Sequence, residues 1–242
     1  MRGMGGESTT NWWIPHQLCY SIFMITRFIE AYLQETMQNS PVVLLLGARQ
    51  VGKSTLAQKL AEDKHLAYLT FDDATNLSAA SLDAQGYILG LKPPVVLDEI
   101  QRVPEVFLPI KLAVDSHRRP GRYILTGSAN VLSLPRLAES LAGRMQVIQL
   151  YPLSQQELAG QKRNFVDTAF KGDYETTGQA TDIANLIERI LVGGYPEVIG
   201  KSARFRKKWF EGYISTILQR DIQDLAHIEG LREIPRLLNV LA

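Results

Sequence analysis

Gly47-Ala48-Arg49-Gln50-Val51-Gly52-Lys53-Ser54 fits the pattern G-x-x-x-x-G-K-[ST], a spacing suited to holding a phosphate chain. Glycines let the backbone approach the phosphates. Successive N–H groups then point inward at a helix start, where the dipole favours an anion. In that arrangement Lys53 reaches the terminal phosphates, Ser54 offers a hydroxyl to Mg2+, and Thr55 closes the binding segment. A second group follows at Val95-Val96-Leu97-Asp98-Glu99, an apolar run ending in two carboxylates. Beside a phosphate loop, Asp98 is the candidate Mg2+ partner and Glu99 the candidate base for an attacking water. The plainer alternative is a strand capped by a solvated acidic turn. A third group, Thr126-Gly127-Ser128-Ala129-Asn130, can hydrogen-bond a phosphate or the attacking water, with Ser128 placed ahead of Thr126 and Asn130; its alternative is a set of turn hydrogen bonds.

These groups need particular elements to carry them. The phosphate loop requires a strand before it and a helix after it. Val42–Leu46 is a short apolar run behind Pro41, and residues 55–62 carry Leu56 and Leu60 at helical spacing. An amphipathic helix is expected earlier, with apolar positions from Ile25 to Met37 and its end near Asn39-Ser40-Pro41. Further strands are expected at 67–71, 95–99, 123–125 and 145–150. Helices are expected at 75–91, from Pro104 onward and at about 134–141. The Asp98 strand is expected beside the phosphate-loop strand, and the 123–125 strand is also expected to neighbour it. Strands alternating with helices imply βαβ units and a parallel sheet covered on both faces. The expected fold is therefore α/β: a five-stranded parallel P-loop core flanked by helices, followed by an all-helical C-terminal region.

The pattern changes after Leu150. Ser154-Gln155-Gln156-Glu157 is a capping box. Residues 160–181 are polar and read as a mobile loop. Asp182 caps a helix stopped by Gly193-Gly194, and residues 203–226 form a long helix with Phe205, Trp209, Tyr213, Ile217 and Leu218 on one side. Ile234, Leu237, Leu238 and Leu241 begin another amphipathic helix at the chain end. This divides the chain into an N-terminal extension at 1–23, a core at 24–151, and a helical lid with the start of a C-terminal domain at 152–242, which reads as truncated.

The 242 residues carry a net charge of +1, which argues for no particular partner. Lys201, Arg204, Arg206, Lys207 and Lys208 surround Phe205 and Trp209. They are candidates to contact nucleic-acid phosphates; the alternative is the wet face of an amphipathic helix. A single cysteine, Cys19, excludes an intrachain disulfide and fits a reducing, cytoplasmic setting. No apolar run is long enough to cross a membrane.

The stretches GARQVGKST, VVLDEIQRVPE, ILTGSAN, SLAGR, LYPLS, GGYPEV and YISTILQRDI, in this order, resemble a prokaryotic AAA+-like P-loop ATPase family with a C-terminal domain of unknown function. The resemblance spans roughly residues 25–230. It implies ATP as the nucleotide, Mg2+ as the cation, and hydrolysis coupled to a conformational change. The alternative is a regulatory switch or interaction module with negligible turnover. It also implies that Arg144, in Ala142-Gly143-Arg144, reaches the γ-phosphate of a neighbouring subunit in a homo-oligomer, with Arg136 the weaker candidate. The plainer reading of Arg144 is a surface arginine paired with an acid. Arg204, Arg206 and Arg220 are candidates for a lid arginine.

Overall fold

The computed structural model describes residues 25–128, 131, 141–160, 169–172 and 182–225. Its centre is a parallel sheet of five strands: β1 (Val42–Leu46), β2 (Ala67–Thr70), β3 (Val95–Asp98), β4 (Tyr123–Gly127) and β5 (Met145–Gln149). The strand order is β2-β3-β4-β1-β5. The β4 strand neighbours β1 as expected. The Asp98 strand does not: β4 lies between β3 and β1, in register Leu44↔Leu125 on one side and Leu97↔Leu125 on the other. A short apolar strand carries no record of its neighbours, because either order buries it on both faces.

Alternation sorts the core. Val42, Leu44 and Leu46 join Val95, Leu97, Tyr123 and Leu125 on one face. Val43 and Leu45 join Val96, Ile124 and Ile148 on the other. Every residue of β1 is fully buried, so each side chain there contributes on the order of 1.5–3 kcal/mol through removal from water. The first face is covered by α3 (Ala74–Leu82), α4 (Ala84–Gly90) and α5 (Phe107–Ser116). The second is covered by α1 (Ile29–Asn39), through Leu33 and Met37, and by α2 (Lys53–Lys64), through Leu56, Ala57 and Leu60.

Residues 75–91, expected to be helical, form two helices. Asp83 ends α3 and caps α4, its carboxylate accepting from the Gly86 N–H at 2.8 Å. The segment after Pro104 opens with a 3-10 turn before α5 begins. Beyond β5, Ser154 and Glu157 form the expected capping box on α6 (Gln155–Leu158). Asp182 caps α7 (Ile183–Val192), and α8 runs Ala203–Leu225. The helix expected near 134–141, the loop over 160–181, the N-terminal extension and the helix after 230 fall wholly or mainly outside the described residues, as do Asn130 and Arg136.

Candidate nucleotide and cation site

All five strands run the same way, so their carboxyl ends share one edge of the sheet, where open α/β folds bind ligands. The loop 47–54 leaves β1 at that edge and enters α2. Its two glycines serve different needs. A Cβ on Gly47 would collide with the Leu150 carbonyl oxygen where β5 exits, a closeness matched by the 2.6 Å bond from the Leu150 N–H to the Leu46 carbonyl. Gly52 caps α2 at φ 96°, in the left-handed region, and Gln50 joins it at φ 61°. No side chain caps α2 at Gly52, so the first N–H groups of the helix face the loop, an arrangement suited to an anion. Lys53 is buried and its ammonium donates to the Gly47 and Ala48 carbonyls at 3.0 and 2.8 Å.

The acidic pair sits at the exit of β3. Asp98 is 3% exposed, and its oxygens are divided among three hydroxyls. Oδ1 accepts from Ser54 at 3.0 Å and from Thr126. Oδ2 accepts from Tyr68 at 2.7 Å. Burial first, then the Asp98 hydrogen bond and charge, push the Tyr68 hydroxyl well above its ordinary range. Glu99 follows in the left-handed conformation, φ 59°, a rare setting for a glutamate. Its N–H donates to Thr126 Oγ1 at 3.1 Å, and its carboxylate accepts from the Gln101 amide. Because β4 lies between β1 and β3, Thr126 reaches both carboxylate residues from a fully buried position. Ser128 is also buried, one residue beyond the strand.

A cleft of about 1080 Å3 opens between the phosphate loop and the C-terminal helices. On the core side it is lined by Arg49, Gln50, Val51, Gly52, Ser54 and Thr55, with Lys53 and Glu99 at its floor. On the other side stand Trp209 and Tyr213 of α8, with Lys201 and Lys208. The aromatic stripe of α8 is thus not simply core. The Tyr213 hydroxyl donates to the Arg49 carbonyl of the loop at 3.2 Å, Tyr195 hydrogen-bonds Tyr213 at 3.1 Å, and the Trp209 and Tyr213 rings stack 5.0 Å apart at 9°. Of the candidate lid arginines, Arg204 is exposed, and Arg206 is engaged by Glu188 at 2.6 Å and the Lys201 carbonyl at 2.8 Å; the side chain of Arg220 lies outside the described residues.

Arg27 fastens the loop from behind. Its guanidinium donates to Glu157 at 3.0 Å, to the Val51 carbonyl at 3.1 Å and to the Tyr151 carbonyl at 2.6 Å. Burial alone would raise the Glu157 carboxyl; the Ser154 and Phe28 N–H groups and the Arg27 charge outweigh it and hold the group below the usual range. The capping box marks Glu157 in the sequence, but nothing local marks its pairing with Arg27, 130 positions away.

Arg144 lies just before β5, at the sheet edge opposite the loop, and does not meet the other site residues. It forms a forked pair with Asp115 at 2.5 and 3.0 Å, whose hydrogen bond lowers the Asp115 carboxyl below its ordinary range.

The donors around Ser54 and Asp98 are all oxygens and adjoin an anion cradle, which fits a small hard cation such as Mg2+ held partly by phosphate and water. Among the described residues no group of three His, Cys, Asp or Glu side chains gathers to hold a metal, so such a cation relies on these oxygens and its ligands. No helix among the described residues is long and apolar enough to cross a membrane.

A parallel five-stranded sheet, a phosphate loop at the head of α2 and a carboxylate facing the loop serine define a P-loop domain of the ATPase type. The chain belongs to the AAA domain family, whose model matches residues 39–159, half its length. Residues 183–242 match a domain of unknown function, DUF8612. Two curated proteins, one from Mycobacterium bovis and one from Mycobacterium tuberculosis, both named only as uncharacterized, are 30% identical over 198 residues. The match covers 81% of this chain and 39% of theirs. Among solved structures, the Walker-type ATPase PABY2304 of Pyrococcus abyssi is similar at 16% identity, with a TM-score of 0.48, over 88% of this chain and 77% of that one. AMPPCP-bound DnaA from Aquifex aeolicus is similar at 15% identity, with a TM-score of 0.41, over 91% and 64%. Likeness at that level adds nothing to the family match.

Proposed function

We propose that the chain binds ATP with Mg2+ and hydrolyses it, coupling turnover to movement of the helical region. The observation that carries this reading is the convergence of Ser54 and Thr126 on Asp98 beside Glu99, under a loop built to hold phosphates. In this reading the N–H groups of residues 47–55 cradle the phosphates, and Lys53 leaves the Gly47 and Ala48 carbonyls for the β- and γ-phosphates. Ser54 and Asp98 hold Mg2+, which when bound neutralises charge developing on the phosphoryl oxygens. Glu99 accepts a proton from the attacking water, and Ser128, at the β4 tip, orients the water or γ-phosphate.

Thr126 supports Glu99 through its backbone. Arg144 acts in trans in a homo-oligomer, which requires it to leave Asp115. The core at 24–151 and the helical region at 152–242 are the working units of this reading, with residues 1–23 as an extension; the two family matches support the division. A cytoplasmic setting, with ATP and Mg2+ at hand, suits this chemistry. Nucleic acid as a further partner would use Arg204, Lys207 and Lys208 on α8.

The test is ATP hydrolysis with and without Mg2+ across a protein concentration series, for the wild type, Lys53→Ala and Arg144→Ala. Activity per subunit that rises with concentration and falls in both variants is expected. Full activity in Lys53→Ala sinks the site assignment. Concentration-independent activity untouched by Arg144→Ala sinks the shared site.

One observation favours a second reading, an ATP-dependent switch with negligible turnover. The Glu99 carboxylate is engaged by Gln101, whose own Oε1 is buried without a partner among the described residues. A base so held is not poised for water. Tight ATP binding without hydrolysis is the outcome that selects this reading.

A further inference from the structure

Asp98 has a third hydroxyl partner that belongs to neither motif nor the β4 tip. Tyr68 stands on β2, paired with Val96, while Asp98 pairs with Thr70. The offset between Tyr68 and Asp98 is thus two residues along the strand, about 6.6 Å. A phenol spans that distance; a serine or threonine does not. The hydroxyl ends 2.7 Å from Asp98 Oδ2, with Ser54 and Gln58, one turn apart on α2, beside it. Asp98 Oδ1 instead receives Ser54 and Thr126. The two oxygens therefore have different company: Oδ1 meets the loop serine and Thr126 of β4, and Oδ2 meets Tyr68 of β2.

We propose that Tyr68 is a positioning residue for the cation site: it holds Asp98 Oδ2, so that Oδ1 alone is presented toward Ser54 and the cation. This rests on the reading of Ser54 and Asp98 as Mg2+ residues. When the cation arrives, the Ser54 hydroxyl must turn a lone pair toward it and give up its bond to Oδ1. The Tyr68 bond needs no such change and keeps the carboxylate from rotating. Partners of this kind, which bond a metal-bound carboxylate without touching the metal, typically alter metal affinity 10- to 100-fold when removed.

The experiment is a Mn2+ titration of the full chain with a non-hydrolysable ATP analogue, followed by the electron paramagnetic resonance signal of free Mn2+. Nucleotide affinity is measured separately in EDTA. Tyr68→Phe is expected to raise the Mn2+ half-saturation about 10-fold and to leave the EDTA affinity unchanged. Asp98→Asn weakens Mn2+ binding further, and the double variant should be no weaker than Asp98→Asn alone, because Tyr68 acts only through that carboxylate. Mn2+ half-saturation within twofold of wild type in Tyr68→Phe overturns the proposal. So does an equal loss of affinity in EDTA, which marks a general structural role, or full additivity in the double variant. Should Tyr68→Phe not fold, Gln58→Ala, which removes another neighbour of the hydroxyl, must shift Mn2+ affinity in the same direction or the proposal falls. If Asp98→Asn itself leaves Mn2+ binding intact, the cation reading of Asp98 fails instead.

Discussion

The carboxyl edge of the sheet and the C-terminal helices are built on different terms. At the edge, Asp98, Thr126 and Lys53 are nearly or fully enclosed, and the strands behind them are fully buried. Among the C-terminal helices, α7 has no buried residue, and its apolar stripe of Ile183, Leu186, Ile187, Ile190 and Leu191 is more than half exposed. The α8 helix touches the loop through half-buried aromatics. Rigid, enclosed elements hold chemistry to fractions of an ångström, while sparsely packed ones open at low free energy. In the proposed reading, chemistry belongs to the core edge and movement to the helices.

The largest effect that would break this assignment is on the base. Glu99→Gln keeps size and shape but removes the proton acceptor, so turnover should fall about 100- to 10,000-fold while ATP affinity holds. A direct binding titration beside a phosphate-release assay checks both. Stability should divide the same way. Leu45→Ala, inside β1, is expected to cost about 2–5 kcal/mol in denaturant unfolding. Ile190→Ala, on the exposed stripe of α7, should stay within about 0.5 kcal/mol. Equal losses would mean that the α7 stripe is covered in solution.

Between the two regions lies the Arg27–Glu157 clasp. Removing the acid, as in Glu157→Gln, leaves a buried guanidinium short of its counter-charge, and a loss of roughly 3 kcal/mol is expected. Its pH dependence has a defined sign. The folded-state carboxyl lies below its unfolded value of about 4.3, so its contribution is complete above that value and is lost as pH falls through the folded one. Acid unfolding of Glu157→Gln should therefore begin from lower stability and show a shallower slope below about pH 4.3. The smallest effect sharpens the contact between the regions. Tyr213→Phe keeps the Trp209 stack and removes the hydrogen bonds to the loop and from Tyr195, worth about 0.5–1.5 kcal/mol each, to be read as faster amide exchange in α8 with the sheet unchanged.

What could be read in the chain beforehand follows from what is local. The phosphate loop, the Asp98-Glu99 run and the capping box at Ser154 are each contiguous, and each has one physical use. The three central strands, β1, β3 and β4, announced themselves as apolar runs because a parallel sheet buries both their faces. Strand order did not, since it depends on contacts between distant segments; β4 was expected next to β1, but its place between β1 and β3 was not. That place is why Thr126 meets both Asp98 and Glu99. Tyr68 was hidden for another reason: β2 is half-exposed along its length, and a tyrosine in such a strand has many uses. The Arg27–Glu157 pair left no local trace. The α8 aromatics were visible as a stripe, but not as the wall of a cleft, because a helical stripe says only that something covers it.

The measurement that bears most directly on the central claim is ATP turnover at saturating nucleotide, with Mg2+ and with EDTA, for the wild type and Glu99→Gln, each shown to bind ATP. Mg2+-dependent hydrolysis by the wild type, lost in Glu99→Gln at unchanged affinity, is the predicted result. Hydrolysis by Glu99→Gln at the wild-type rate would contradict it and remove Glu99 from the chemistry.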